Sequence, residues 1–461
     1  MAVIVPFRGI SYNSQVIKDL SKVVAPPYDV ISPQEQDALY QRHPQNVVRL
    51  ILNKETPQDN PQENRYTRSA ALYSAWQKEG VLVRAPKPQF YFLQEEFSPS
   101  ILPVGQTVSA SGSIVRQGFI GLIQLEEYSA KVVLPHEKTQ TKPRADRLAL
   151  MEACQGNFSQ IYSLYEDKKG AMAPIYQQIF FSGPPSMKAT DGEGVRRKVW
   201  MVGDPAILKR VREIMKPKEI YIADGHHRYE TALAYREKQR QKFPKSTGRE
   251  TYNFTMMYFA AMEDPGVFIL PTHRVVSSLD GFKAEAFLDQ LRSDFSVETL
   301  EFKTGEEKAV RDRLLQQLAA RSEKERVLGM VIKGLKKYFI LALKDDKVID
   351  QAEPGIAPSL KALDVNLLHI PILKKRLNID AQDLAASKKV IYFKDPGEAA
   401  AAVQSGDGQI AFFLNPTRTY QVRDVSLAGE TMPSKSTFFY PKLLSGLVIN
   451  PLDPHEEIAV E

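Results

Sequence analysis

A mixed α/β fold is predicted for this 461-residue chain by three features. Between residues 86 and 276, apolar runs of strand length alternate with segments of helical spacing. Apolar residues make up 43% and charged residues 25%, the balance of a chain that buries a core. The 30 prolines and 25 glycines divide it into many short elements. This composition excludes a disordered, collagenous or coiled-coil chain. The length predicts several domains. We expect an N-terminal unit over 1–85, a central core over 86–276 and a C-terminal α/β domain over 277–461.

Taken in order, VVAPPYDVIS (Val23 to Ser32) reads as a strand or extended loop stiffened by Pro26 and Pro27. Ser32-Pro33 reads as a helix start, with serine as N-cap and proline at the first helical position. A second helix is expected from Tyr66 to Gly80, where Ala70, Tyr73 and Trp76 share a face. QFYFLQEEF and GFIGLIQLEEY read as strands, joined by a Ser/Gly/Pro-rich connection around Pro103 to Gly112. Helical spacing begins after Pro143, and Pro185 to Gly194 reads as a polar turn. KVWMV, PAILKRVREIM and EIYIA then predict strand, helix and strand, and GVFILPTHRVV predicts one closing strand near residue 276. Beyond it come two helices, with Leu314 and Leu318 marking the core stripe of the second. A hairpin in GMVIKGLKKYFILAL and a strand–helix–strand unit from VIYF to QIAFFL complete the chain.

The sharpest chemical signal is EIYIADGHHRYETALAY (Glu219 to Tyr235). An apolar strand ends, Asp224-Gly225 makes a tight turn, and a helix starts near His226. Gly225 lets backbone approach a ligand closely. A helix start offers N–H groups and partial positive charge to a phosphate. His226, His227 and Arg228 add cationic donors, and Asp224 sits where it could hold Mg²⁺ or orient a histidine. The bland reading is a capped strand–helix turn with solvent-facing histidines. LPHEKTQTKPRADR (Leu134 to Arg147) concentrates His136, Glu137, Lys138, Lys142, Arg144 and Arg147 before one helix. It can supply a carboxylate base and phosphate-binding cations. On spacing alone, an exposed charged loop before a helix is the better reading. His273 and Arg274 in LPTHRVV, Lys435 and Ser436 in MPSKSTFFYPKLLSGL, and Tyr28 and Asp29 after the diproline are substrate-binding candidates.

Other chemistries are weaker. There is no GxxxxGK[ST] loop and no HExxH pattern. His136, His226, His227 and His273 could build a metal site, but adjacent histidines rarely face one ion. The single cysteine, Cys154, excludes an intramolecular disulfide and reads as a small core residue. Lys+Arg total 61 against 55 Asp+Glu, a net charge of +6. That excess suits an anionic ligand without demanding nucleic acid, and no helix-turn-helix signature is present. MAVIVPFRGI does not read as a signal peptide and no membrane-spanning run is visible. A cytoplasmic protein is expected.

Together HEKT…KPRADR, IADGHHRYETA, PTHR, LDVNLLH and MPSKSTFFYPKLLSGL resemble the bacterial and archaeal family called domain of unknown function 1015, over nearly the whole chain. The central part of that family is similar to the ParB/sulfiredoxin-like superfamily. The resemblance therefore implies a ParB/sulfiredoxin-like catalytic core with N-terminal and C-terminal additions. Sulfiredoxins carry a cysteine within Gly-Cys-His-Arg. Here His226 holds the matching position, which disfavours their chemistry. Free-serine kinases of the superfamily carry the Pro-His-Glu and Asp-Gly-His-His-Arg segments and phosphorylate L-serine with a nucleotide. The resemblance implies a serine kinase making O-phosphoserine, with inorganic pyrophosphate as donor, and the chemistry of phosphoryl transfer calls for Mg²⁺ as cofactor. It makes Glu137 the general base; our own fallback for that role is His136. It places Asp224, His226, His227 and Arg228 around the phosphates, beside the backbone that Gly225 lets approach them. The absence of a P-loop and the tight cluster of cations also favour a compact donor over a nucleotide. The alternative is a ParB-like nucleotide-dependent binding or regulatory protein, which salt-sensitive DNA binding would support.

Overall fold

The apolar runs assemble into two main sheets in the computed structural model of the chain, which describes residues 1–98, 112–380, 383–384 and 389–460. Most of the expected Pro103–Gly112 connection lies outside the described residues. The fold is mixed α/β. Residues 1–98, 112–267 and 441–460 form one compact unit, and the described part of 268–440 forms the other.

In the first unit, nine described strands make one sheet. Across it run Val133–Leu134, Ile220–Asp224, Ile161–Tyr165, Phe254–Ala261, Ile114–Gln124, Phe90–Phe97, Arg196–Val202 and Met187–Thr190, while Ile4–Val5 pairs with Ile114–Gln124. The central strands are buried along most of their length, and helices cover the face that carries Phe92, Phe119, Ile222 and Phe259. Phe92, Phe119, Ile222 and Phe259 pack with Ile175 and Ile179 of helix Ala173–Phe180 and with Val211 and Met215 of helix Pro205–Met215. Helix His226–Lys242 adds Tyr229 and Leu233 to the same core.

The expected boundary near residue 85 differs from this division. Ile4–Val5 joins the central sheet, and Val48, Tyr73 and Trp76 share a core with Leu150, Cys154 and Ile449. The N-terminal stretch builds most of that core, which Leu150, Cys154, Phe158 and Ile449 complete. Cys154 is a core residue, and burial pushes its thiol up to about 12. Ser32 caps helix Pro33–Arg42, accepting from the Glu35 N–H at 3.2 Å. Val23 to Ser32 is irregular, with a 3-10 turn at Tyr28–Val30.

Three local expectations are corrected. Helix Thr141–Cys154 starts before Pro143, because proline is tolerated in a first turn. Part of the expected Pro185–Gly194 turn is an edge strand, Met187–Thr190, paired with Arg196–Val202. Only Ala189 of that strand is buried, so its alternation was too weak to read. GVFILPTHRVV is two strands, Phe268–Ile269 and His273–Val276, in different sheets. Pro271 between them has no N–H to give a ladder.

The second unit is built on a six-stranded antiparallel sheet. Its order is Phe295–Glu301, Lys337–Leu343, Val327–Ile332, Ile410–Phe413, His273–Val276 and Val390–Phe393. Helices Glu307–Arg321 and Pro396–Ser405 cover one face through Leu314, Leu318, Ala399 and Val403. The expected hairpin and strand–helix–strand unit are present. Strand Phe295–Glu301 directly follows helix Ala284–Asp294 and was not expected. No helix among the described residues is long and apolar enough to cross a membrane.

Candidate functional site

Two parallel strand ends create the site. Ile220–Asp224 runs parallel to Val133–Leu134, with Tyr221 opposite Leu134. Both strands therefore deliver their C-terminal extensions to one edge: Pro135-His136-Glu137 from one, Gly225-His226-His227-Arg228 from the other. The carboxyl end of parallel strands is a recurrent place for ligands. Gly225 turns the chain with φ +98°, a conformation costly for other residues. A Cβ there would lie 2.7 Å from the Arg228 guanidinium, so glycine also makes room for that side chain. Helix His226–Lys242 begins without a side-chain cap.

The two histidines are interlocked. The backbone N–H of His136 donates to His226 Nε2 at 3.2 Å, and the rings meet edge to face with centroids 4.6 Å apart. His136 Nδ1 lies 2.8 Å from the Ile222 carbonyl, which requires that nitrogen to carry the proton. His226 Nε2 is an acceptor, which leaves Nδ1 as its protonated nitrogen. Both rings are buried, and burial holds His136 down to about 4 and His226 well below the usual histidine range. His226 is thus neutral at pH 7, which corrects its expected role as a cationic donor. His136 is too weak a base to serve at neutral pH. His227 is half-buried; its Nε2 accepts from the Gln140 N–H at 2.9 Å, and its pKa is also lowered by burial.

These neutral histidines make stability depend on pH with a definite sign. Unfolded His136 titrates near 6.5 and folded His136 near 4. Between those values the unfolded chain binds more protons. Its contribution is complete above about pH 6.5 and is lost as pH falls toward about 4. At about 1.4 kcal/mol per pH unit, His136 alone is worth roughly 3 kcal/mol. Urea unfolding at pH 7 and pH 4.5 is expected to show at least a large part of that loss. A flat profile would mean that the pair is not held neutral.

The charged groups have definite partners. Asp224 meets Lys442 Nζ at 3.1 Å and Arg228 at 3.7 Å. Burial opposes ionisation of Asp224, but Lys442 and then Arg228 outweigh it and hold the carboxyl below its usual range. Glu137 is part-exposed, with Oε2 3.9 Å from His226 Nδ1. Arg228 also donates to the Gln160 carbonyl. The buried Oε1 of Gln160 has no partner among the described residues. Among these residues, no three His, Cys, Asp or Glu side chains form a metal-holding group. Asp224 is one carboxylate already engaged by two cations. It suits magnesium only as an ion that arrives on phosphate oxygens with its own waters.

The structure gathers His136, Glu137, Asp224, Gly225, His226, His227 and Arg228. Lys138 and Lys142 are exposed on the segment after Glu137. Arg144 turns to Glu230 at 3.1 Å. Arg147 is buried, bonded to Asp146 and the Ile51 carbonyl, with its guanidinium 3.9 Å from the Tyr28 ring centroid. Its donors are committed to the protein, so the expectation that it binds phosphate is corrected. Tyr28 feels Arg147 and Arg228, and Asp29 acts on His227, so the diproline turn borders the site. His273, Arg274, Lys435 and Ser436 belong to the 268–440 unit.

Gln160 and Glu230 were not among the expected site residues, and Lys442 reads in the sequence only as a polar group of the MPSKSTFFYPKLLSGL segment, with no partner assigned. Behind Lys442 lies a buried triad. Glu95 accepts from Arg116 Nε at 2.7 Å and from Arg197 Nε at 2.9 Å. The two guanidiniums also donate, each at 2.8 Å, to the Pro441 and Lys442 carbonyls. The triad thereby sets the backbone from which Lys442 reaches Asp224. Two arginines and a glutamate on neighbouring strands carry no sequence signal for this. Only strand pairing, with Arg197 opposite Glu95 and Glu95 opposite Arg116, brings them together.

A family model described as a protein of unknown function (DUF1015) matches residues 4–366. No curated protein matches the chain by sequence. Solved structures similar to it include a conserved hypothetical protein from Pyrococcus furiosus, 13% identical, covering 74% of this chain and 95% of that one with a TM-score of 0.30. A free serine kinase variant in complex with ADP is 12% identical, covers 69% and 86%, and has a TM-score of 0.31. C-terminally truncated SbnI from Staphylococcus aureus is 11% identical, covers 72% and 87%, and has a TM-score of 0.34.

Proposed function

The chain belongs to the DUF1015 family, and from that premise and the site's chemistry we propose that it is a phosphotransferase, moving a phosphoryl group to the hydroxyl of free L-serine with inorganic pyrophosphate as donor. One observation carries the reading. A part-exposed carboxylate, Glu137, stands beside an uncapped helix start that holds Arg228, with Lys442 across Asp224. That arrangement pairs a proton acceptor with a phosphate cradle.

In this reading Glu137 orients the serine hydroxyl and takes its proton as the oxygen attacks. The new bond joins serine Oγ to phosphorus, and the bridging P–O bond breaks to release inorganic phosphate. Phosphoryl transfer needs positioning and charge stabilisation more than covalent participation by the protein. The helix N-terminus, Arg228 and Lys442 supply that charge. Asp224 keeps the two cations aligned. The neutral His226 ring, locked by His136, packs beside Glu137 without adding a competing charge. Magnesium belongs to the donor, shielding its oxygens.

Pyrophosphate fits because the cations are close together and Coulomb attraction replaces base and ribose contacts. The test monitors ³¹P signals with the full chain, Mg²⁺, L-serine and either pyrophosphate, ADP or ATP. O-phosphoserine is expected, with the highest kcat/KM for pyrophosphate. A clear preference for a nucleotide would overturn the donor and leave the acceptor standing. Phosphoserine from none of the three would count against the kinase reading.

A further inference from the structure

The phosphotransfer reading uses none of PTHR, LDVNLLH and MPSKS, yet the 268–440 unit draws all three toward one side chain. Arg274 lies on strand His273–Val276 and is 1% exposed. Its neighbour Val275 faces the helices, so alternation sends Arg274 to the opposite face, paired with Tyr392 and Phe412. No carboxylate meets it among the described residues. The guanidinium donates to the Thr272 carbonyl and, at 3.0 Å, to the Lys435 carbonyl. It lies 5.6 Å from the Tyr392 ring centroid, and its Nε has no partner. Buried charges are normally paired. Here burial alone pulls Arg274 down to about 10, and neutral dipoles stand where a counter-ion belongs.

Two further irregularities adjoin it. His369 is buried with its Nε2 unpartnered, and the positive charge of Arg274 helps to depress its pKa. It opens the π-helical turn His369–Lys374, a rare element that is frequent at functional sites. Lys435, whose carbonyl covers the guanidinium, is a non-glycine residue at φ +60°. Its turn is braced by Ser436 Oγ on the Pro433 carbonyl and by Thr417 Oγ1 on the Ser436 carbonyl. Asp395 acts on His273, but it caps its own helix at the Glu398 N–H and does not pair with Arg274.

We infer that the 268–440 unit holds an oxyanion site anchored by Arg274 and covered by the Lys435 turn. A phosphate group takes the place on the guanidinium that the Lys435 carbonyl occupies, and the Lys435 ammonium and His369 Nε2 complete its contacts. Arg274, which meets no carboxylate among the described residues, and the lysine of the turn that covers it suit a doubly charged anion, which argues for phosphate over a carboxylate ligand. The inference stands whether or not the reaction proposed above is correct.

Equilibrium dialysis of the full chain with radiolabelled inorganic phosphate tests it. Two phosphates per chain are expected, one lost in Arg274→Met and the other in Arg228→Gln. If Arg228 binds none, Arg274→Met still removes one. Without phosphate, the Tm of Arg274→Met is expected to be no lower than that of the parent, because an unpaired buried charge has gone. A purely structural arginine would lower it. Lys435→Gly, on the exposed turn and without the left-handed strain, gives a folded variant even if Arg274→Met does not. It is expected to weaken the Arg274 phosphate roughly tenfold by removing one charge-assisted contact. Undiminished phosphate binding in Arg274→Met, unchanged affinity in Lys435→Gly, or a parent chain that binds a single phosphate which Arg274→Met and Arg228→Gln each abolish would each overturn the separate site.

Discussion

Glu137→Gln is expected to slow phosphoserine formation by roughly 10²–10⁴-fold with folding preserved. The carboxamide keeps the shape and hydrogen-bonding reach of the side chain but cannot take the serine proton. Folding should survive because Glu137 is 32% exposed and glutamine keeps its size and shape. The loss should fall on kcat, with KM for L-serine little changed, since proton removal belongs to the transition state. A well-folded variant with unchanged turnover would remove Glu137 from the mechanism. His136→Asn is the informative contrast. His136 sits in the core with its Nδ1 on the Ile222 carbonyl, so its replacement should lower stability rather than leave a folded, inactive protein.

The second large effect is on stability. Glu95→Gln should cost about 3–5 kcal/mol, the usual result of removing one member of a buried ion pair. Arg116, Arg197 and Glu95 are all essentially fully buried. Without the carboxylate, Arg116 loses its ion pair with Glu95, and Arg197 loses one of two ion pairs, the other being with Asp191 at 2.6 Å. The adjacent Glu96→Gln provides the control. Glu96 pairs with Arg196, whose side chain is 61% exposed, and such pairs are worth about 0–1 kcal/mol. Urea unfolding of both variants reads the difference. Equal, small losses would mean that the triad is not a buried electrostatic unit. Loss of the triad should also weaken phosphate binding, because its arginines hold the carbonyls on either side of the Pro441–Lys442 step.

Elements governed by neighbouring residues were legible. Ser32-Pro33 starts a helix because cap and first-turn proline are adjacent, and Asp224-Gly225 breaks an apolar strand where a helix begins. The hairpin of Val327–Ile332 and Lys337–Leu343 joins strands close in sequence. Elements that depend on distant partners were missed or misread. Met187–Thr190 becomes a strand by pairing with Arg196–Val202, despite exposing most of its side chains. The two halves of GVFILPTHRVV separate because Phe268–Ile269 pairs with Phe439–Tyr440, while His273–Val276 pairs with Val390–Phe393 and Ile410–Phe413.

The same distinction runs through the candidate site. By itself the sequence determined which residue types are available and that Asp224 to Arg228 stand at a strand-to-helix turn, since backbone conformation there depends on adjacent residues. Tertiary structure decided what each charge faces. Arg147 and Arg228 are the same residue type in motifs of equal promise. Arg147 is sealed against Tyr28 and Asp146, while Arg228 is held at the helix start beside Asp224. His226 loses its expected charge because His136, 90 residues away in sequence, encloses it in the core. Lys442 reaches Asp224 across 218 residues. Burial and Coulomb interaction depend on distance in space, so they assign these roles only once the strands have paired.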